Sequence, residues 1–125
     1  MRGRSAMLHL LRSGRRFRDP SGTVQTILLG DREAQEPIAL ALMVSRTVCP
    51  TAVGRNRLRR LLRESIRTLA RQQPELLAPY RAIAIRWLRA VTVDYRRLRL
   101  RDVLPMLGAA LQTAEEHITD TRHSH

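Results

Sequence analysis

Between Arg55 and Arg71 the chain places seven arginines, at 55, 57, 59, 60, 63, 67 and 71, against a single acid, Glu64. A guanidinium stays charged and presents a planar fork of donors that matches phosphate oxygens, so the chemistry open to this segment is binding a polyanion. If the segment is helical, Arg55, Arg59, Arg63 and Arg67 lie at i,i+4 spacing, where each like-charged pair costs a few tenths of a kcal/mol. A merely solvated face would intersperse glutamates at that spacing. A face that repels itself when free is accounted for by a partner that neutralises it.

Catalytic candidates are few. His9, His117, His123 and His125 are all near the ends, and the last three fall in what reads as a terminal tail, where a tuned pKa is hard to hold. Glu115 and Glu116 are adjacent, so on a helix their carboxylates point to different faces. The single Cys49 can form neither an internal disulfide nor a cysteine-based zinc site. No nucleophile, base or metal cluster emerges, and no metal site is expected in this chain.

The charge belongs to a chain able to fold. In 125 residues there are 23 Lys+Arg and 11 Asp+Glu, a net charge of +12, and all the basic residues are Arg. The hydrophobic share of 43% suits one compact domain with a core, which excludes a merely disordered basic tail. Aromatic content of 3% argues against a base-stacking platform, so recognition of backbone and shape is expected. The apolar run Ala6–Leu11 is broken by His9 and stopped by Arg12, far short of a membrane span. The expected setting is the cytoplasm, with nucleic acid rather than a membrane as partner.

These residues need elements to position them. Residues 1–6 read as a mobile basic arm, 7–118 as the domain and 119–125 as a flexible tail. Met7–Leu11 is a short helix closed by Ser13-Gly14. Thr23–Leu29 reads as a strand between turn residues, and the unbroken apolar run Ile38–Val44 as a strand covered on both faces or a central strand. The two are expected to pair as a hairpin through Gly30–Pro37. From about Gly54 to Gln72, Leu58, Leu61, Leu62, Ile66 and Leu69 fall on one helical face and Arg59, Arg60, Arg63, Arg67 and Arg71 on the other. Arg81–Trp87 resumes strand character. Thr92 or Asp94 caps a last helix carrying Leu100, Val103, Leu104, Leu107 and Leu111, which Pro105 should kink or split. The order is α-β-β-α-β-α, with room for one more short strand.

The run Val44-Ser45-Arg46-Thr47, a loop, then Arg55-Asn56-Arg57-Leu58-Arg59-Arg60-Leu61-Leu62-Arg63-Glu64 resembles the bacterial ribonuclease P protein subunit in order, spacing and helix phase. That family's pattern is a strand ending in Val-Ser-Lys-Lys, followed by an Arg-Asn-Arg helix. The resemblance extends more weakly from about Leu8 to Leu111. It implies an α/β sandwich with a central sheet of about four strands and a left-handed βαβ crossover. It also implies a role beside a catalytic RNA that uses magnesium ions to remove the 5′ leader of precursor tRNA. On that resemblance Arg46, Arg55, Asn56, Arg57, Arg59, Arg60 and Arg63 contact the RNA subunit, and Arg67 joins them by helix phase. Thr47 stands where the family has a second lysine.

The resemblance further implies a leader-binding cleft between the first helix and the sheet, drawing on Met7, Leu11, Arg12, Arg15, Arg16, Arg18 and Gln25. Family members line that cleft with aromatics, and here Met7-Leu8-His9-Leu10-Leu11 supplies none. Magnesium would be held mainly by the RNA, and no protein partner is implied. The competing readings are a ribosome-associated structural RNA-binding protein, which does not require Arg-Asn-Arg at this phase, and a DNA-reading helix, which lacks a helix-turn-helix partner.

Overall fold

The computed structural model describes residues 3–91 and 94–123, with side chains described from 8 to 117. Four strands make one sheet in the order β1-β2-β4-β3: β1 Arg15–Arg18, β2 Val24–Leu29, β3 Ala39–Met43 and β4 Ala82–Trp87. Helix α1, Gly3–Ser13, packs on one face; α2, Ala52–Gln72, and α3, Leu100–His123, pack together on the other. Strand β2 pairs antiparallel with both of its neighbours, β1 and β4, whereas β3 runs parallel to β4. A parallel pair cannot be closed by a tight turn, and α2 is the crossover that joins β3 to β4.

The larger core lies between the sheet and the helix pair, where Leu58, Leu62, Ile83, Ile85, Val103, Leu107 and Leu111 are fully or almost fully buried. Burying one such side chain stabilises the fold by about 1.5–3 kcal/mol. A smaller core under α1 joins Leu10 to Ile27, Ala82 and Ala84, with Leu11 half-buried beside them. Gly14 lets that helix close on the sheet: a Cβ there would meet the Leu10 carbonyl oxygen at 2.5 Å and Ile27 Cγ2 at 2.7 Å.

Several expectations are corrected. Ile38–Val44 is not a central strand, and it does not form a hairpin with Thr23–Leu29. Its ordered part, β3, is the sheet edge with Leu40 42% exposed, and β4 lies between it and β2. The apolar run is real, but partner choice is set by the α2 crossover, which delivers β4 into the centre. The extra strand is β1, hidden in sequence because three of its four residues are arginine.

The first helix starts at Gly3, so residues 3–6 extend it rather than forming an arm, and Met1 and Arg2 lie outside the described residues. At the other end α3 continues to His123, beyond the expected boundary at 118. Pro105 does not split α3. It sits near the helix start, where its missing N–H removes one bond, and the buried Val103, Leu107, Ala110, Leu111 and Ala114 offset that loss. Asp94 caps a 3₁₀ turn, Tyr95–Arg97, through Oδ1 accepting from the Arg96 N–H at 2.9 Å, while the start of α3 is closed by Asp102 Oδ2 accepting from the Arg99 N–H at 2.8 Å. Thr92, the other candidate cap, lies outside the described residues.

Candidate nucleic-acid interface

Helix α2 begins where Thr51 Oγ1 accepts the Gly54 N–H at 3.1 Å, the side-chain cap expected at a helix start. Gly54 itself is pressed between two segments. A Cβ there would run into Cys49 Sγ and would stand 2.8 Å from Thr51 Oγ1 and 3.0 Å from Tyr95 Cδ1. Leu58, Leu61, Leu62, Ile66 and Leu69 face the core as the spacing requires. Ser65, also inside, satisfies its hydroxyl by donating to the Leu61 carbonyl at 2.8 Å. The apolar stripe thus fixes which way every arginine points.

The arginines divide by what they touch. Arg60, Arg63 and Arg67 are exposed and have no hydrogen-bond or ion-pair partner among the described residues. Arg59 Nη1 donates to Asn56 Oδ1 at 2.8 Å, linking two of the candidate contacts. Arg55 and Arg57 turn to the protein instead. Arg55 Nη1 donates to the carbonyls of Cys49 at 3.1 Å and Pro50 at 2.9 Å, tying the preceding loop to the helix. Arg57 donates through Nε to the Tyr95 carbonyl at 3.2 Å and through Nη2 to those of Leu98 at 2.8 Å and Arg96 at 3.4 Å.

On one flank of α2, exposed Arg46 lies in a loop where the Ser45 and Thr47 hydroxyls are 2.9 Å apart. There a cleft of about 590 Å³ is lined by Ser45, Thr47, Arg59, Arg86 and Trp87 among others. Arg86 was missed by the sequence reading. Its signal is a lone charge inside the apolar strand Ala-Ile-Ala-Ile-Arg-Trp. Glu64 is the only acid on α2, and the ion pair Arg96–Asp94 at 3.7 Å is exposed and worth little.

The face under α1 is ordered by strand register. Arg18, Gln25, Arg86 and Met43 stand opposite one another across the four strands, and Arg16, Ile27, Ala84 and Ala41 form the next row. Alternation along β1 therefore sends Arg16 and Arg18 to this face and Arg15 to the other, with Phe17. Arg15, expected in the cleft, instead borders a small hollow with Phe17 and Tyr80. Arg16 Nη2 donates to the Leu11 carbonyl at 2.6 Å, satisfying the end of α1. Arg12 is exposed on the last turn of α1, Leu11 is packed against the sheet, and the Met7 side chain lies outside the described part.

Gln25 is only 5% exposed, and its Oε1 finds no hydrogen-bond partner. Phe17, Tyr80, Trp87 and Tyr95 all pack with the α2/α3 core, so this face carries no Phe, Tyr or Trp among the described residues.

The turn that sets the Arg18–Gln25 row hangs on one carboxylate. Asp19 accepts the N–H groups of Ser21 at 3.1 Å, Thr23 at 2.8 Å and Val24 at 2.9 Å, and the Ser21 hydroxyl. Burial alone would raise its pKa, but the Ser21 hydroxyl and the three backbone donors together outweigh it and hold the carboxyl below its ordinary 3.8. His117, expected in a tail, sits on α3 with its ring tilted against Phe17, centroids 5.7 Å apart. The His123 side chain and His125 lie outside the described part. Among the described residues no three His, Cys, Asp or Glu side chains gather in a way that could hold a metal ion, and no helix is long and apolar enough to cross a membrane.

A mixed α/β domain with a four-stranded sheet and this helix arrangement is the fold of bacterial ribonuclease P proteins. The Thermotoga maritima ribonuclease P protein superposes with a TM-score of 0.67 at 18% identity, covering 90% of this chain and 94% of that one. The Staphylococcus aureus protein gives 0.66 at 14% identity, covering 91% and 93%. The Ribonuclease P family model matches residues 1–105, and the chain belongs to that family: it is a ribonuclease P protein, a component of a tRNA-processing endoribonuclease. No curated protein matches it in sequence.

Proposed function

We propose that this protein binds the catalytic RNA of ribonuclease P through the outward arginines of α2 and assists cleavage of the 5′ leader from precursor tRNA in the cytoplasm. The observation that carries this reading is that Arg60, Arg63 and Arg67 are exposed and unpartnered on a helix whose other face is locked into the core. Only Glu64 lies among them on α2, and it forms no ion pair with them, so phosphates would relieve their repulsion.

The division of labour follows from the side chains present. No group of this chain is assigned to bond cleavage. Magnesium ions held mainly by the RNA would supply the activated water and stabilise the leaving oxygen. The protein's part is to lower the electrostatic cost of bringing two polyanions together. Arg18 and Arg86, in one row of the face under α1, would meet the leader's phosphates, with Arg12 and Arg16 nearby.

The test mixes purified protein with the ribonuclease P RNA of its source and precursor tRNA at low magnesium. Enhanced cleavage at the leader junction is expected, while protein freed of RNA should leave the precursor intact. Absence of enhancement, or cleavage by nuclease-treated protein alone, would count against the proposal.

A further inference from the structure

Just outside α2, residues 94–102 read Asp-Tyr-Arg-Arg-Leu-Arg-Leu-Arg-Asp, with arginine at 96, 97, 99 and 101. Their place is fixed by α2 itself. The Arg57 guanidinium gathers the carbonyls of Tyr95, Arg96 and Leu98, and the Tyr95 ring sits where a Cβ on Gly54 would touch it. One planar fork thus holds this strap along the α2 edge. At about 100° per residue, Arg60 is the next exposed arginine round the helix from Arg57, so Arg57 stands between the strap and the exposed arginine face.

Within the strap the arginines have separate duties. Arg99 folds back, its Nη1 donating to the carbonyls of Arg96 at 2.5 Å and Leu98 at 3.2 Å. Arg96 lies over the Tyr95 ring at 5.2 Å and near Asp94. Arg97 and Arg101 are exposed and have no partner among the described residues.

We propose that the strap, through Arg97 and Arg101, is a second contact for the RNA phosphate backbone, and that Arg57 is the positioning residue that aligns it with the α2 face. Arg57 therefore acts through the strap and does not itself touch RNA, although it belongs to the Arg-Asn-Arg motif. Clamping four arginines against a helix that carries seven raises local repulsion, and the acids on these two segments are three, Asp94 and Asp102 in the strap and Glu64 on α2. A phosphate backbone reaching across both elements would neutralise both at once. This inference rests on the reading that the partner is ribonuclease P RNA.

The test measures affinity for that RNA against salt for the full chain and four variants: Arg60→Gln/Arg63→Gln, Arg97→Gln/Arg101→Gln, Arg57→Gln, and Arg57→Gln combined with Arg97→Gln/Arg101→Gln. Circular dichroism and the thermal midpoint verify folding, and Arg57→Lys serves if Arg57→Gln loosens the domain. Losing two phosphate contacts should lower the log–log salt slope by about 1.4–1.8. Arg97→Gln/Arg101→Gln should show that drop. Arg57→Gln should weaken binding roughly tenfold alone and less than twofold when Arg97 and Arg101 are already replaced.

An unchanged slope in Arg97→Gln/Arg101→Gln, with a reduced one in Arg60→Gln/Arg63→Gln, overturns the strap and leaves the α2 reading standing. Additive losses for Arg57 place it on the RNA and overturn its positioning role. Wild-type protein that binds this RNA no better than an unrelated structured RNA removes the functional reading, and the strap proposal with it.

Discussion

The outward face of α2 and the sheet face under α1 both carry arginine, yet they are built differently. On α2 the exposed Arg60, Arg63 and Arg67 stand clear of all packing, backed by fully buried Leu58 and Leu62. Under α1 the polar groups are part of the packing: Arg16 closes the end of a helix, and Gln25 is buried between strands. Charge on α2 can therefore change without touching the fold, whereas a change under α1 mixes stability with binding. The same contrast runs along the start of α2, where Arg55 and Arg57 serve backbone carbonyls, Arg59 pairs with Asn56 on the flank cleft and Arg60 faces outward.

The largest expected effect comes from removing what backs the α2 face. Leu62→Ala should cost about 2–5 kcal/mol of stability, because the side chain is fully buried against both the sheet and α3. Denaturant unfolding measures it, and a loss under about 1 kcal/mol would mean that this core does not brace the arginines as described.

On the outward side the expectation reverses. Arg60→Glu with Arg63→Glu should leave stability within about 0.5 kcal/mol of wild type, since neither side chain packs or pairs. Affinity for ribonuclease P RNA should fall about a hundredfold or more, as charge-assisted hydrogen bonds contribute about 1.5–3 kcal/mol each. Equal affinity in the folded double variant would return this face to plain solvation.

What the sequence made legible follows this contrast. Helix α2 was readable because its leucines repeat at a local period and the period alone assigns the arginines their side. The place of β3 in the sheet was not. Whether Ile38–Val44 lay at the centre or the edge depended on β4, forty residues on, and no local pattern carries that pairing. Arg15, Arg16 and Arg18 form one basic run in sequence, but a strand alternates, and Arg15 goes to the opposite face. The inward roles of Arg55 and Arg57 were equally hidden, since a backbone carbonyl leaves no trace in sequence.

Asp19 offers a smaller effect that belongs wholly to the packed side. Its carboxyl is held below the ordinary 3.8 in the folded state, so the stability it contributes is fully present above that value. As pH falls from there through the lowered folded pKa, the unfolded chain binds the proton more readily and this contribution is lost. Asp19→Asn should therefore cost about 2 kcal/mol near neutral pH and flatten the acid limb of the stability curve. Chemical unfolding at several pH values reads it; a variant with an unchanged acid limb would show that the Asp19 turn is not what titrates.

The smallest effect is expected where the face under α1 meets the leader. Base–aromatic stacking is worth ~1–3 kcal/mol per base, and no Phe, Tyr or Trp among the described residues stands on this face. The one amide able to read a base edge, Gln25, has its Oε1 buried, so it cannot reach a base without the packing opening around it. What remains exposed for a single strand is the charge of Arg12, Arg18 and Arg86, which attracts phosphate regardless of sequence. Leaders of equal length and different sequence should accordingly differ by less than tenfold, about 1.4 kcal/mol, in holoenzyme affinity at fixed salt. Lengthening the leader by a few nucleotides should help mainly through added phosphate charge, and that gain should shrink as salt rises. Sequence differences well above tenfold that disappear when the RNA subunit acts alone would show that this face reads bases, and that Gln25 is released from its buried position when the leader binds.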